Sequence, residues 1–124
     1  MKYITFDYKS LIKDFRINQN AVMVLETRIH ELQKELEDPF RDNYADVTAD
    51  LAHANLKLQE YQMYVDMVVL GFGALSEEER RILELNYFEG HTNQECADLL
   101  YMSLRDFDRK KARALRHFLT VVYP

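Results

Sequence analysis

Two regular heptad patterns, in residues 8–36 and 44–72, constrain the fold of this chain more than any other feature. In both, apolar side chains recur at alternating steps of three and four residues, the spacing of one helix face in a coiled coil. The first pattern comprises Tyr8, Leu11, Phe15, Asn18, Val22, Leu25, Ile29, Leu32 and Leu36. The second comprises Tyr44, Val47, Leu51, Ala54, Leu58, Tyr61, Val65, Val68 and Phe72. We therefore expect two helices of about 30 residues, each about 45 Å long.

The short polar segment between the two patterns predicts an antiparallel hairpin. Pro39 lacks an N–H and disfavours helix at Asp38, so the first helix should end there. Gly71 and Gly73 are the only closely spaced glycines, and we interpret them as a hinge after the hairpin. The predicted domains are accordingly a hairpin in residues 1–73 and a second module in residues 74–124. Residues 2–6 alternate weakly, and the sequence leaves their conformation open.

A hairpin of this length should have more apolar surface than a small module can cover, which favours a homodimer. The expected dimerisation residues are Leu11, Phe15, Asn18, Val22, Leu25, Leu58 and Val65. Asn18 is the amide within the first pattern, where a buried Asn could fix the register of a coiled-coil dimer. Alternatively, it is a partly exposed residue where the paired helices fray. Both interpretations stay open at the level of sequence.

Composition indicates an all-α protein without catalytic or metal chemistry. Three glycines and two prolines in 124 residues leave few helix breakers, and a single cysteine excludes an intramolecular disulfide and fits a reducing cytoplasm. We find no signal peptide, no apolar run long enough for a membrane span, and no phosphate-binding loop, nucleophile elbow or pair of catalytic carboxylates. The four histidines lack ligand spacing. We therefore expect no enzyme activity, metal or cofactor.

Residues 92–118 have the pattern of two short helices joined by a tight turn. Thr92 and Glu95 are spaced as a capping box, so a helix should begin at Asn93. Its apolar side consists of Cys96, Ala97, Leu99 and Leu100. Ser103 can cap a second helix, with the Asp106 carboxylate three residues later able to accept hydrogen bonds at the helix start.

The second of these helices has one basic and one apolar side. The basic stripe is Arg105, Arg109, Arg113 and Arg116, at steps of four, four and three residues. The apolar side is Phe107, Ala114, Leu115 and Phe118. A turn followed by such a helix is typical of a helix-turn-helix recognition unit, although a solvated charged helix in an ordinary bundle has the same pattern. Net charge is −5, but residues 103–117 contain six Lys or Arg against two Asp, so any DNA contact must be local and oriented.

The same segment resembles region 4 of bacterial sigma-70 factors and, more closely, the sigma-like half of the ArpU and RinA groups of phage and prophage transcription regulators. The resemblance rests on Leu-Ser-x-x-Glu-Arg at 75–80, Leu-x-Tyr-Phe-x-Gly at 85–90, Glu-Cys-Ala at 95–97, Ser103, and Ala-Arg-Ala-Leu-Arg at 112–116. The chain departs from the family at Tyr101, where a glycine is common, at Lys110, where an isoleucine is usually buried, and at the acids Asp106 and Asp108.

The resemblance implies a sigma region 4-like fold and a DNA-binding surface. Its candidate residues, with Thr92 and Arg116 added from the capping and stripe patterns, are Thr92, Ser103, Arg105, Asp106, Arg109, Arg113 and Arg116. The implied function is a dimeric phage transcription regulator that binds double-stranded DNA in the host cytoplasm and controls late genes. The alternative is a phage protein that binds a host protein machine. Its target would be either RNA polymerase or a nuclease, which the protein would silence in the way that anti-CRISPR proteins do. The acidic residues 77–79 have two possible roles: they provide favourable charge at a helix N-terminus, or they form a docking site for a basic partner.

Overall fold

The computed structural model describes residues 7–123, and within this range the chain is helical and has no strand. The elements are α1 (Tyr8–Lys13), α2 (Phe15–Leu36), α3 (Tyr44–Gly73), α4 (Glu77–Leu83), a π-helical turn (Glu84–Phe88), α5 (Asn93–Leu99) and α6 (Leu104–Val122). The predicted all-α class is confirmed. The conformation of residues 2–6, which the sequence left open, lies outside the described residues.

The contacts divide the chain into two compact units. One is residues 15–66, and the other is made of the described parts of 1–14 and 67–124. The predicted domain boundary at 73/74 does not coincide with this division, because the last turns of α3 pack with the C-terminal helices. In particular, Phe72 stacks on Phe88 with ring centroids 5.3 Å apart and meets Phe118 edge-on at 5.9 Å.

The unit of residues 15–66 is the predicted antiparallel hairpin. Ile29 and Leu32 of α2 and Val47 and Ala54 of α3 form its buried core. Leu25, Leu36, Leu51 and Leu58 pack against that core and are partly buried. In the connecting loop, the Asp38 carboxylate accepts a hydrogen bond from the Phe40 N–H at 3.0 Å, and the Tyr44 hydroxyl donates to the Asp38 carbonyl. The heptad patterns thus correspond to the pairing of α2 with α3.

Contacts within one chain already cover much of the predicted dimerisation surface. Leu11, Asn18 and Val22 are buried, while Phe15, Leu25, Leu58 and Val65 are partly buried. Asn18 is only 8% exposed, so the alternative of a partly exposed Asn is wrong. Its role in fixing a dimer register stays a prediction.

The first heptad pattern does not form one continuous helix, as the sequence suggested. Asp14 interrupts it with φ −91° and ψ 9°, which ends α1 at Lys13, and α2 begins at Phe15. The interruption coincides with the boundary between the two units: α1, capped by the Asp7 carboxylate, buries Leu11 and Ile12 and contacts the π-helical turn. Long-range packing of this kind is invisible in a heptad pattern, so the expected 30-residue helix was wrong.

Gly71 is not the predicted hinge. Helix α3 continues through Gly73, and a β-carbon at position 71 would lie 2.3 Å from ring atoms of Phe118. Glycine is needed here because the α3 backbone and the Phe118 ring approach each other closely. Nothing lies within 4 Å of a β-carbon built at Gly73, where the helix ends.

Candidate nucleic-acid interface

Helix α5 begins as the sequence predicted. The Thr92 hydroxyl accepts a hydrogen bond from the Glu95 N–H at 3.2 Å, and the Glu95 carboxylate accepts one from the Thr92 N–H at 3.2 Å. The hydrogen bond from the Thr92 backbone is the main reason why the pKa of Glu95 is lowered. This capping box fixes the start of α5 at Asn93. On the predicted apolar side, Cys96 and Ala97 are buried and Leu100 is partly buried, whereas Leu99 at the end of α5 is exposed.

The turn after α5 is a Schellman motif with a tyrosine in the position that usually holds glycine. The Met102 N–H donates to the Ala97 carbonyl at 3.0 Å, and the Tyr101 N–H donates to the Asp98 carbonyl at 3.2 Å. Tyr101 has a φ of 56°, the left-handed conformation that this motif requires. The departure from the family at position 101 is therefore accommodated without changing the turn.

Helix α6 starts at the predicted cap. The Ser103 hydroxyl accepts a hydrogen bond from the Asp106 N–H at 3.1 Å. The Asp106 carboxylate is held by the Arg109 guanidinium at 3.4 Å. Asp106 was expected to accept hydrogen bonds at the helix start, and its observed ionic partner is Arg109. Lys110, four residues after Asp106, lies 3.0 Å from the Glu78 carboxylate of α4.

The apolar side of α6 is buried as predicted. Phe107, Ala114 and Phe118 are fully buried and Leu115 nearly so, where α6 packs against α4 and α5. The four stripe arginines are all exposed. By helical geometry Arg105, Arg109 and Arg116 lie opposite Phe107 and Phe118, together with the small exposed Ala112. The sequence therefore placed these three arginines correctly on the free side of α6.

Arg113 lies at the border of this free side, in a groove between α4 and α6. The groove is lined by Ser76, Glu78, Glu79, Lys110, Arg113 and His117. The His117 ring nitrogen is 2.6 Å from the Glu79 carboxylate, and Lys110 pairs with Glu78. Lys110 is half-buried at the position where the family usually buries an isoleucine, because Glu78 provides its counter-charge.

Helix α4 begins with a capping box that the sequence interpretation missed. The Ser76 hydroxyl accepts from the Glu79 N–H at 3.2 Å, and the Glu79 carboxylate accepts from the Ser76 N–H at 3.0 Å. The signal, Ser-x-x-Glu, was present in the sequence. Burial alone would raise the pKa of Glu79, but hydrogen bonds from Ser76 and the contact with His117 lower it overall.

On its other side α6 is fixed to α5 and the π-helical turn through Lys111. Its ammonium donates to the Asn93 side-chain oxygen at 3.2 Å and lies 5.2 Å from the centre of the Tyr87 ring. Burial lowers the pKa of Lys111. Asn86 also holds this region together, donating to the His91 carbonyl at 2.9 Å and to Asn93 at 3.1 Å. No sequence signal distinguished Asn86, since its position depends on the π-helical turn.

The described residues contain neither a metal-binding cluster nor a membrane-spanning helix. Between residues 7 and 123, no group of His, Cys, Asp and Glu side chains is arranged to hold a metal ion. Every helix in that range is either too short or too polar to cross a membrane.

Residues 72–118 match the family model for sigma-70, region 4. No curated protein and no solved structure matches the chain. The matched segment runs from the end of α3 into α6 and contains the capped α5, the turn and the arginine stripe. The segment is a sigma-70 region 4-like helix-turn-helix, as the resemblance indicated, and modules of this kind bind DNA.

Proposed function

We propose that the chain is a transcription regulator that binds double-stranded DNA by inserting α6 into the major groove. The observation that carries the proposal is the position of Arg105, Arg109 and Arg116, exposed on the side of α6 that faces away from the buried aromatic rings. In helix-turn-helix proteins the N-terminal residues of the second helix contact base edges, and the first helix crosses the phosphate backbone.

Each candidate residue has a role that follows from its position. Arg105 and Arg109 lie in the first two turns of α6, where a guanidinium can form two hydrogen bonds with a guanine. Arg113 and Arg116 lie further along the helix and suit phosphate contacts. Ser103 and Asp106 lie at the start of α6. Thr92 caps α5 at the end of that helix that would meet the DNA phosphate backbone.

The acidic balance of the chain is compatible with this function because basic residues are concentrated in α6 and several acids nearby have basic or histidine partners. Glu78 pairs with Lys110 and Glu79 with His117 on the α4 side of the helix. Glu89 pairs with Arg81 at 2.9 Å. Residues 103–117 contain six Lys or Arg against two Asp, so the surroundings of the arginines on α6 are positive although the net charge of the chain is −5.

The finer part of the proposal is that the protein is a homodimeric phage or prophage regulator of the ArpU and RinA type. The motifs at 75–80 and 112–116 support the subtype. Large apolar side chains on the outside of the hairpin support a second copy as the partner: Ile17, Met23, Val24, Leu56 and Met63 are exposed. Two copies would present two recognition helices, which in such dimers read half-sites about 34–36 Å apart.

The test is the affinity of the full chain for random-sequence duplex DNA as a function of salt concentration. A DNA-binding protein loses affinity steeply, with a log–log slope of about −0.9 for each phosphate neutralised. Replacing Arg113 and Arg116 with Ala should flatten that slope by about one for each phosphate that the variant no longer neutralises. The matched control is the Arg16→Ala, Arg28→Ala double variant. Both arginines are exposed on α2, and replacing them removes the same amount of positive charge.

Two results would overturn the proposal. One is a duplex affinity of the wild type that is undetectable at low salt, combined with binding to purified host RNA polymerase. That pair of results would favour the alternative of a protein-binding regulator. The other is an equal loss of affinity in the α2 control and in the α6 variant, since the effect would then come from net charge alone.

A further inference from the structure

Three large apolar side chains surround the turn between α5 and α6 and are exposed to solvent. Leu99 is 52% exposed, Tyr101 97% and Leu104 39%. We refer to Leu99, Tyr101 and Leu104 as the turn surface. They come from the end of α5, the turn itself and the first residue of α6. Isolated apolar residues on a surface are common, whereas these three lie within six residues of the chain and flank one turn.

Tyr101 is the least expected member of the turn surface. Its φ of 56° is a conformation that glycine adopts freely and that other L-residues adopt at a cost. The ring is almost fully exposed, so within the described chain it gains no packing in return. The turn requires a left-handed residue, but glycine would meet that requirement without strain, and strained residues tend to mark functional contacts. This combination points to a contact with a partner molecule.

The surroundings of the turn surface restrict the chemistry of that partner. Leu104 is the first residue of α6 and is followed by the exposed Arg105, and Arg109 lies one turn further on. A partner that covers this region must therefore present an apolar group next to negative charge or hydrogen-bond acceptors. In the major groove of DNA, the thymine C5-methyl group is the apolar feature among base-edge acceptors, and phosphates surround it.

We propose that Leu104 contacts a thymine methyl group in the major groove, and that Tyr101 and Leu99 pack against the adjoining sugar–phosphate backbone. This inference rests on the proposed function and adds a base preference to it. The preferred site contains a thymine adjacent to the base that Arg105 reads. Apolar contact with the methyl group distinguishes thymine from uracil, whose hydrogen-bonding groups are the same.

The experiment uses duplexes that the wild-type full chain selects from a random-sequence pool. In a selected duplex, each thymine of the site is replaced singly by deoxyuridine, which removes only a methyl group. We expect one replacement to weaken wild-type binding about fourfold, the effect of one buried methylene-sized group. Leu104→Ala should bind the thymine duplex more weakly and should bind the thymine and deoxyuridine duplexes equally.

Tyr101→Gly tests the second contact without disrupting the turn. Glycine fits the left-handed position, so the thermal midpoint of unfolding should be unchanged or higher, while DNA affinity should fall several-fold. The matched control is Phe40→Gly, which removes a 92% exposed aromatic ring from the hairpin loop and should leave DNA affinity unchanged.

The outcomes separate this inference from the proposed function. Selection of no duplex at all would contradict the proposed function itself. Selection of a duplex whose thymines can all be replaced without loss would overturn the methyl contact and leave DNA binding intact. Unchanged DNA affinity of Tyr101→Gly would overturn the contact between this ring and the sugar–phosphate backbone.

Discussion

Gly71 of α3 lies directly against the ring of Phe118 of α6, so close that a β-carbon would come within 2.3 Å of two ring carbons. Phe118 is fully buried and also meets Phe72 edge-on. Adding a methyl group must therefore displace a ring that has little room to move, or shift the helix. Together with the contacts of Phe72, this close approach joins the end of α3 to the helix-turn-helix.

We expect Gly71→Ala to lower the free energy of unfolding by about 1–3 kcal/mol, the usual range for overpacking a core. Gly73→Ala is the matched control, since the added methyl group meets nothing within 4 Å. The control should be neutral or slightly stabilising, because alanine favours helix more than glycine does. Urea unfolding of the two variants measures the difference. Equal stability of both would contradict the close packing at position 71.

The arginines of α6 should differ in what they recognise. Arg105→Ala and Arg109→Ala should each cost about 1–3 kcal/mol of specific affinity and relax the preference at one base pair. Arg116→Ala should weaken all sequences alike. Affinities for a selected duplex and for its single-base variants distinguish the two classes. If the Arg105→Ala, Arg109→Ala double variant kept the wild-type affinity, direct reading by these residues would be wrong.

The acids of α6 provide a test of electrostatics in the proposed interface. Asp106 holds Arg109 at 3.4 Å, so Asp106→Asn should free the guanidinium and leave DNA affinity equal or slightly higher. If Asp106 instead accepts from a cytosine amino group, the substitution should change the preferred base at one position. Weaker binding to a host protein by the Asp106→Asn, Asp108→Asn variant, without detectable DNA binding, would support the protein-binding alternative.

The capping box of α4 should make stability depend on pH. The pKa of Glu79 is lower in the folded state than its ordinary value of 4.5. Its carboxylate therefore stabilises the folded state at pH values above 4.5, and this contribution is lost as the pH falls through the lowered pKa. Glu79→Gln should therefore be less stable than wild type at pH 7, and the two should converge in acid. Glu77→Gln, in the same first turn, is the control. A difference between Glu79→Gln and wild type that is constant with pH would contradict this role.

The proposed dimer can be tested on the outer surface of the hairpin. Ile17 and Val24 are exposed, lie seven residues apart on α2 and share one side of the helix. Replacing both with Lys should leave the helical content unchanged and convert a dimer to a monomer in sedimentation experiments. Gln19→Lys with Gln33→Lys adds the same charge at exposed polar positions of α2 and should remain dimeric. A monomeric wild type at micromolar concentration would exclude the dimer.

The features that the sequence predicted well depend on hydrogen bonds or spacings within a few residues. Thr92 and Ser103 cap helices by accepting from the third residue beyond them, and the buried side of α6 follows from helical periodicity. The heptad patterns likewise predicted the pairing of α2 with α3, because each pattern defines one helix face.

The features that escaped prediction depend on residues far apart in the chain. The break at Asp14 follows the packing of α1 with the C-terminal unit, and Gly71 is constrained by Phe118, 47 positions away. The sequence did not explain a lysine at position 110, where the family usually buries an isoleucine, because its ion pair with Glu78 becomes visible only in the structure. Asn86 acquired its partners only through the π-helical turn. Periodicity and local motifs contain no information on such contacts.

Because Cys96 is buried, its reaction with thiol reagents can report local unfolding of the helix-turn-helix. It is the only thiol in the chain, it is fully buried in α5, and burial raises its pKa, so it should react with thiol reagents only when α5 separates from its neighbours. The labelling rate of the unmodified protein then measures the free energy of local opening in the helix-turn-helix, independently of the hairpin. A ligand that binds the closed module must slow that rate in proportion to its occupancy, whatever its identity.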